Sequence, residues 1–189
     1  MKHFNNLILA SNSPRRKQLL EDAGFEFSVN TIDFDEVFPE DLEVHKVAEY
    51  LAIEKNKAHR EAFNSGLILT ADTVVIFTDK ILGKPSSSEE ARKVLKILSG
   101  KIHEVMTGVC ISSEEKQVAF SNLTEVKFHE LSEDEIDHYV NTAKPIDKAG
   151  SYGIQEWIGL IGVEWIKGSY FNVVGLPVDQ VYQVLKQEF

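Results

Sequence analysis

Apolar runs that read as strands alternate along this chain with amphipathic stretches of helical period, the pattern of an α/β domain. Leu7 to Ala10 predicts a short buried strand, and Ser11-Asn12-Ser13-Pro14-Arg15-Arg16 turns from it into a helix, with serine as a good N-cap and proline suited to the first helical position. Gly24 ends that helix. A strand from about Phe25 to Ile32 leads to the acidic loop Asp33-Phe34-Asp35-Glu36-Val37-Phe38-Pro39. In the long helix that follows, Val44, Val47, Ala48, Leu51, Ala58 and Ala62 keep i, i+3, i+4 spacing, and Lys55 falls on the same stripe. Gly66 closes this segment, and Leu67 to Phe77, apolar except at Thr70, Asp72 and Thr73, predicts the central strand.

The second half repeats the alternation. After the turn Thr78-Asp79-Lys80 come Ile81-Leu82-Gly83-Lys84-Pro85, and Ser87 with Glu90 reads as a capping box for a helix reaching Gly100. Two strands, near Val105 to Ser112 and Val118 to His129, are expected to form a hairpin; Ser132 with Glu135 starts a helix that ends before Pro145. The last quarter reads as the loop Gly150-Ser151-Tyr152-Gly153-Ile154-Gln155, a strand around Leu160 to Ile166, the turn Lys167-Gly168-Ser169, a strand to Val174 and a helix begun by Pro177. With no repeat and no linker-like stretch, residues 1–189 are expected to form one elongated α/β domain, a mixed sheet with two lobes around a cleft.

Composition narrows the function classes. The 189 residues are 43% hydrophobic and 26% charged, ordinary globular values, and a chain of this length buries roughly 70% of the surface its unfolded form exposes. The single cysteine, Cys110, excludes an internal disulfide and a cysteine-rich zinc site and points to a reducing compartment, so a cytoplasmic location is expected. The N-terminal apolar run Leu7-Ile8-Leu9-Ala10 is too brief for a signal peptide, and no stretch approaches the ~20 apolar residues of a membrane span. Lys+Arg 20 against Asp+Glu 30 gives a net charge of −10, which argues against sequence-independent nucleic-acid binding. Any phosphate is therefore bound locally.

Several positions could carry chemistry. The strand, turn and helix N-terminus at Ser11 to Arg16 make an anion site from free backbone N–H groups and the positive end of the helix dipole. Arg15 and Arg16 add planar donor forks matched to phosphate, and because cations are disfavoured at that helix end, an anion is expected to offset them. Asp72, a carboxylate inside a buried strand, is costly unless paired, hydrogen-bonded or metal-bound, and such placements concentrate at functional sites. Lys55 lies on an apolar stripe and Lys84 follows Gly83, which permits close approach of a ligand; each alone more often only snorkels. The oxygens of Asp33, Asp35 and Glu36 suit a hard cation, against the commoner reading of a solvated turn. Gln155 offers one donor and one acceptor to a base edge. The six histidines, His3, His45, His59, His103, His129 and His138, show no ligand spacing and read as surface or packed residues. No Walker A, G-x-G-x-x-G, H-E-x-x-H or G-x-S-x-G sequence occurs.

Taken together, Ser11-Asn12-Ser13-Pro14-Arg15-Arg16, Leu51-Ala52 followed by Lys55, Ala71-Asp72-Thr73, Gly83-Lys84-Pro85, Asp147-Lys148-Ala149-Gly150, Tyr152-Gly153-Ile154-Gln155 and Gly175-Leu176-Pro177 resemble the Maf family of nucleotide pyrophosphatases over nearly the whole chain. The resemblance implies metal-dependent hydrolysis of a nucleoside triphosphate to monophosphate and pyrophosphate, with Mg²⁺ or Mn²⁺ as cofactor and a nucleotide as partner, and it leaves a homodimer open. It is nearest the branch acting on dTTP and UTP, including some modified uridine nucleotides. It makes Asp72 the catalytic acidic residue, as general base or metal ligand, associates Arg15, Thr73 and Gln155 with substrate choice, and lines the phosphate site with Ser11, Arg16, Lys55 and Lys84. Asp35, Glu36 and Asp72 are the acids it offers a metal. Glu156-Trp157-Ile158 is bulkier than the small residues the family often carries there, which bears on the base pocket.

Two other readings are kept. Asp33-Phe34-Asp35-Glu36-Val37 superficially matches the D-x-D-x-T motif of aspartyl-phosphate phosphatases, with Val37 in place of the threonine. The family is also linked with inhibition of septum formation, which a binding protein without turnover could perform through protein contacts; removal of non-standard nucleotides is the further role the resemblance suggests.

Overall fold

The computed structural model describes Phe4 and residues 6–63 and 65–189; His3 lies outside the described residues. Strands β1 (Leu7–Leu9), β2 (Phe27–Val29), β3 (Leu67–Phe77), β4 (Lys80–Leu82), β5 (Ile102–Ser112), β6 (Gln117–Phe128) and β7 (Val163–Lys167) hydrogen-bond in the order β2-β1-β3-β5-β6-β7, with β4 added on β3. The chain divides into two compact units that interleave along the sequence: Met1–Asp72 with Thr107–Asn122 and Gly175–Phe189, and Thr73–Met106 with Leu123–Val174. Three long strands, β3 (Leu67–Phe77), β5 (Ile102–Ser112) and β6 (Gln117–Phe128), contribute residues to both.

In the first unit, β1 (Leu7–Leu9) lies between β2 (Phe27–Val29) and the start of β3, parallel to both, with Leu7 opposite Phe27 and Leu67. Parallel neighbours need long crossovers, here α1 (Pro14–Asp22) and α2 (Val44–Ala62). Leu7, Leu9, Leu20, Leu69, Ala71, Val109 and Ile111 form the core with Leu176, Val181 and Leu185 at and along the C-terminal helix α7 (Val178–Glu188). The second strand is shorter than the Phe25 to Ile32 run expected from sequence. Beyond Val29 only Asn30 N–H still reaches β1, at Leu9 O (3.2 Å), and Thr31 turns to Asn12 instead.

Helix α2 is fastened closely to the sheet. A Cβ on Gly108 of β5 would lie 2.2 Å from the carbonyl carbon of Ala48, so helix and strand meet backbone to backbone. Thr70 Oγ1 donates to Ala52 O (2.7 Å), and the buried Asn56 amide donates to Ile68 O and Cys110 O (3.0 and 3.2 Å). These ties fix the side of α2 that carries Lys55.

In the second unit, β3 turns through Thr78 and Asp79, both at positive φ (49° and 58°), into β4 (Lys80–Leu82), a two-residue hairpin of left-handed turn residues. Helices α3 (Ser88–Leu98) and α4 (Glu133–Ala143) supply Ala91, Leu95, Leu98, Ile136 and Tyr139 to a core shared with Val75, Phe128 and Ile158. The capping box at Ser132 and Glu135 is complete, whereas at α3 it is half made: Ser87 accepts from Glu90 N–H, but the Glu90 carboxylate takes its bonds from Ser86. The final quarter departs most from the sequence reading. Trp157–Gly162 is a helix, α5, and only Val163–Lys167 is strand β7, paired antiparallel with β6. The expected strand to Val174 is instead a short helix, α6 (Tyr170–Val174), because Ser169 Oγ accepts from Asn172 N–H and the Asn172 amide turns inward to Val105 O and Thr124 Oγ1. Among the described residues no helix is long and apolar enough to cross a membrane.

His103 is buried at the ring edges of Phe128 and Tyr152 (centroids 5.1 and 5.4 Å) with Nε2 on the Tyr152 hydroxyl (2.8 Å). Burial alone pushes its pKa from 6.5 to about 3. Between those values the unfolded chain binds the proton and the fold does not, so stability is full above pH 6.5 and declines as pH falls. Relative to His103→Gln, wild type should lose on the order of 5 kcal/mol between neutrality and pH 3; urea midpoints that fall in parallel for both would contradict this burial effect.

Candidate active site

The first strand delivers the chain to an anion-accepting turn. Ala10 N–H still bonds Leu69 O (2.9 Å), after which Ser11 Oγ accepts from Ser13 N–H (3.3 Å) and Ser13 Oγ caps α1 by accepting from Arg16 N–H (3.4 Å). Pro14 opens the helix and its first turn holds no acid, so the positive helix end has no local counter-charge. Arg16 folds back over this turn: Nη1 donates to Ser11 Oγ (3.1 Å) and Nε to Gly175 O (2.8 Å). Burial lowers its pKa, opposed by the Asp72 carboxylate.

Asp72, 6% exposed, projects from β3, where alternate side chains face opposite ways. Lys55 reaches it from α2. Its Nζ stands 2.5 Å from Asp72 Oδ1 and 2.7 Å from Glu36 Oε1, so one ammonium bridges a buried carboxylate and the acidic loop. Burial pushes the Asp72 carboxyl above its ordinary value, with Lys55 and Arg16 pulling it down and Glu36 raising it further. The structure thus gathers Ser11, Arg16, Glu36, Lys55 and Asp72. No three acids converge as a metal group among the described residues; Glu36 and Asp72 are the pair that shares a cation, while Asp35 is exposed and its carbonyl accepts from Val37 N–H (2.8 Å). Two carboxylates converging on one cation are a donor set that suits Mg²⁺, which takes one or two carboxylates and completes its shell with water and phosphate. Arg15 adjoins Arg16 and adds to the positive field there.

The remaining candidates belong to the second unit. Thr73, next to Asp72, is half-buried on the opposite face of β3. Lys84 is exposed beside Gly83, whose carbonyl accepts from Gly150 N–H (3.3 Å); that bond ties the Lys84 loop to the loop leading to Gln155. Gly150 sits at φ 68°, and a Cβ there would strike Val75 at 2.8 Å. Gln155 is exposed on the turn that Glu156 N–H closes on Gly153 O (3.0 Å). Glu156 accepts from the Tyr139 hydroxyl and pairs with the buried Lys148 Nζ (3.2 Å), which also holds Asp147 (2.7 Å). Sequence reading gave Tyr139 and Lys148 no role. Tyr139 lies on the inward stripe of α4, the one signal that could have marked it. Of the bulky segment, Ile158 enters the core and Trp157 packs edge-on against His138 (4.7 Å).

A parallel β-α-β opening that sets an arginine-bearing turn beside a lysine-clamped buried acid defines an α/β protein built to handle an anion. The chain belongs to the Maf family: residues 6–188 match its model, described as Maf-like protein. A dTTP/UTP pyrophosphatase of Phocaeicola vulgatus is 51% identical over 96% of this chain and 95% of its own, and one of Cytophaga hutchinsonii is 46% identical over 99% and 86%. Among solved structures, a HAM1 protein from Coxiella burnetii shares the fold at TM-score 0.52 and 16% identity, covering 96% of this chain and 98% of its own.

Removing Lys55 strands a buried charge. Lys55→Met should cost about 3–5 kcal/mol at neutral pH, the range for breaking a buried pair, and more than Asp72→Asn, which leaves Lys55 its bond to Glu36. Because Asp72 in the folded variant would hold its proton to higher pH than in the unfolded chain, the deficit should shrink as pH falls toward 4. Denaturant titrations at several pH values would show it; a pH-independent deficit would mean that Asp72 is not the stranded group.

Proposed function

We propose that the chain is a nucleoside triphosphate pyrophosphatase that hydrolyses dTTP and UTP, and modified uridine nucleotides, to the monophosphate and pyrophosphate. The observation that carries this reading is the clamped carboxylate: Asp72, buried, short-bonded to Lys55 and within the field of Arg16. The names of its relatives supply the substrate class.

The reaction needs charge spread over phosphoryl oxygens, a water aimed at the α-phosphorus and a stabilised leaving group. Arg16, Lys55 and the amides of the Ser11 turn cradle the phosphates, and Lys84 is a phosphate-binding residue by the family resemblance alone. Lys55 exchanges carboxylate for phosphate partners when the nucleotide arrives, and the water's proton passes to the Asp72 carboxylate as its oxygen bonds to phosphorus. The bond from the α-phosphorus to the bridging oxygen breaks and leaves its electron pair on pyrophosphate. A Mg²⁺ or Mn²⁺ ion, which Glu36 and Asp72 would hold, would supply charge neutralisation and lower the pKa of a water bound to it. Gln155 reads the carbonyl and N–H edge of uracil or thymine, since an amide offers both a donor and an acceptor, while Thr73 and Arg15 are associated with substrate choice by the family resemblance. The tie from Glu156 to Tyr139 and Lys148 supports the turn that presents Gln155. A cytoplasmic setting, where such nucleotides are held, accords with the unpaired buried Cys110.

Pyrophosphate release from dTTP, UTP, CTP, GTP and 7-methyl-GTP with Mg²⁺ or Mn²⁺ should favour dTTP and UTP and fall by at least ~10³-fold in Asp72→Asn. Inorganic phosphate as the product, or turnover retained in that variant, would reject the assignment. Gln155→Ala should flatten the preference among bases more than it weakens phosphate affinity, and an unchanged substrate profile would remove Gln155 from base reading. Because burial raises the Asp72 pKa and the base must be ionised, the acid limb of kcat/KM should lie above the ordinary carboxylate range.

A further inference from the structure

His59 is 2% exposed on α2, one helical turn beyond Lys55, and uses both ring nitrogens. Nδ1 lies 2.7 Å from Lys55 O, and Ile32 N–H points at Nε2 across 3.2 Å. A backbone amide only donates, so Nε2 is the acceptor, the ring proton is on Nδ1, and Nδ1 donates to the Lys55 carbonyl. The neutral ring stacks on Phe63 (6.3 Å, 27°).

A mid-helix carbonyl such as Lys55 O already accepts the backbone N–H four residues on, so α2 does not need this second bond. The group that does need a partner is Ile32 N–H, which sits past the end of β2 with no strand ladder to join. From Asn30 onward the segment is pinned at separate points: Asn30 N–H on Leu9 O, Thr31 on Asn12, Ile32 on His59, and Glu36 on Lys55. Leu9 and His59 are the buried anchors of the four, and the histidine is the one that joins the segment to the helix that supplies Lys55. We propose that His59 is a positioning residue that ties the Glu36-bearing loop to α2 and so sets the approach of Glu36 to the Lys55 and Asp72 pair. This rests on the reading of Glu36, Lys55 and Asp72 as the catalytic cluster.

Two variants separate positioning from packing. His59→Phe keeps the ring on Phe63 and deletes both hydrogen bonds; His59→Gln restores an acceptor for Ile32 N–H. In His59→Phe, amide exchange at Ile32 should quicken by about 10-fold, the effect of one lost hydrogen bond, and kcat for pyrophosphate release should fall by about 10-fold with little change in KM. His59→Gln should recover most of both. In a Glu36→Gln background the additional loss from His59→Phe should nearly vanish, because two residues acting through one contact are not additive. Unchanged exchange at Ile32, no rescue by His59→Gln, or additive losses with Glu36→Gln would each overturn the inference. The exchange measurement needs no substrate, so it tests the tie even if wild type releases no pyrophosphate, a result that would count against the proposed function instead. Should His59→Phe fail to fold, protection of Ile32 in wild type against its loss in His59→Asn, whose side chain is too short to reach that amide, decides the same point.

Discussion

The contact on which the site depends is the one between Lys55 and Asp72 inside the first unit. Two opposite charges withdrawn from water are tolerable only in close register and with further partners. The chain meets both conditions with rigid parts: the lysine comes from a nineteen-residue helix and the aspartate from an eleven-residue strand. Glu36 and Arg16 then distribute the charge, so the cluster carries two cations and two anions within a few side chains. Under the proposed function an incoming polyphosphate would compete with the two carboxylates for cations already placed.

That arrangement has a thermodynamic cost. A buried ion pair whose carboxyl is pushed upward by burial adds little to stability, and replacing both partners by apolar atoms would be neutral or better. The fold retains it beside an arginine whose own burial is unfavourable. Offsetting contributions come from two apolar cores, from Leu7 to Leu185 in one unit and around Phe128 and Tyr139 in the other.

Much of this was legible in the sequence because its signals are local. Asp72 stands out in an apolar strand, Lys55 on an apolar stripe, and Ser13-Pro14 marks a helix start, so strand, helix and turn could be placed and their charged residues singled out. What the sequence hid was set by contacts distant along the chain. Nothing near Glu36 distinguishes it from Asp35; only the reach of Lys55 does. Trp157 to Gly162 is an apolar run too short for its period to separate helix from strand, and Tyr170 to Val174 coils because Ser169 caps it. His59 looked like any helix histidine until Ile32 arrived across from it. For Glu36 and His59 a residue distant in sequence completed the pattern, whereas for the two short helices of the last quarter the local signal was too brief to decide.

The backbone contact of Gly108 with Ala48 bears on how this family member can drift. Where a helix rests on a strand through side chains, every core substitution changes the spacing between them, and any site strung across the pair must retune. Here the stand-off between α2 and β5 is set by the van der Waals radii of main-chain atoms, which no substitution alters while position 108 remains glycine. The hydrophobic residues around that contact pack against a spacing that the main chain already sets. One glycine thus holds the helix that carries Lys55 at main-chain distance from the sheet.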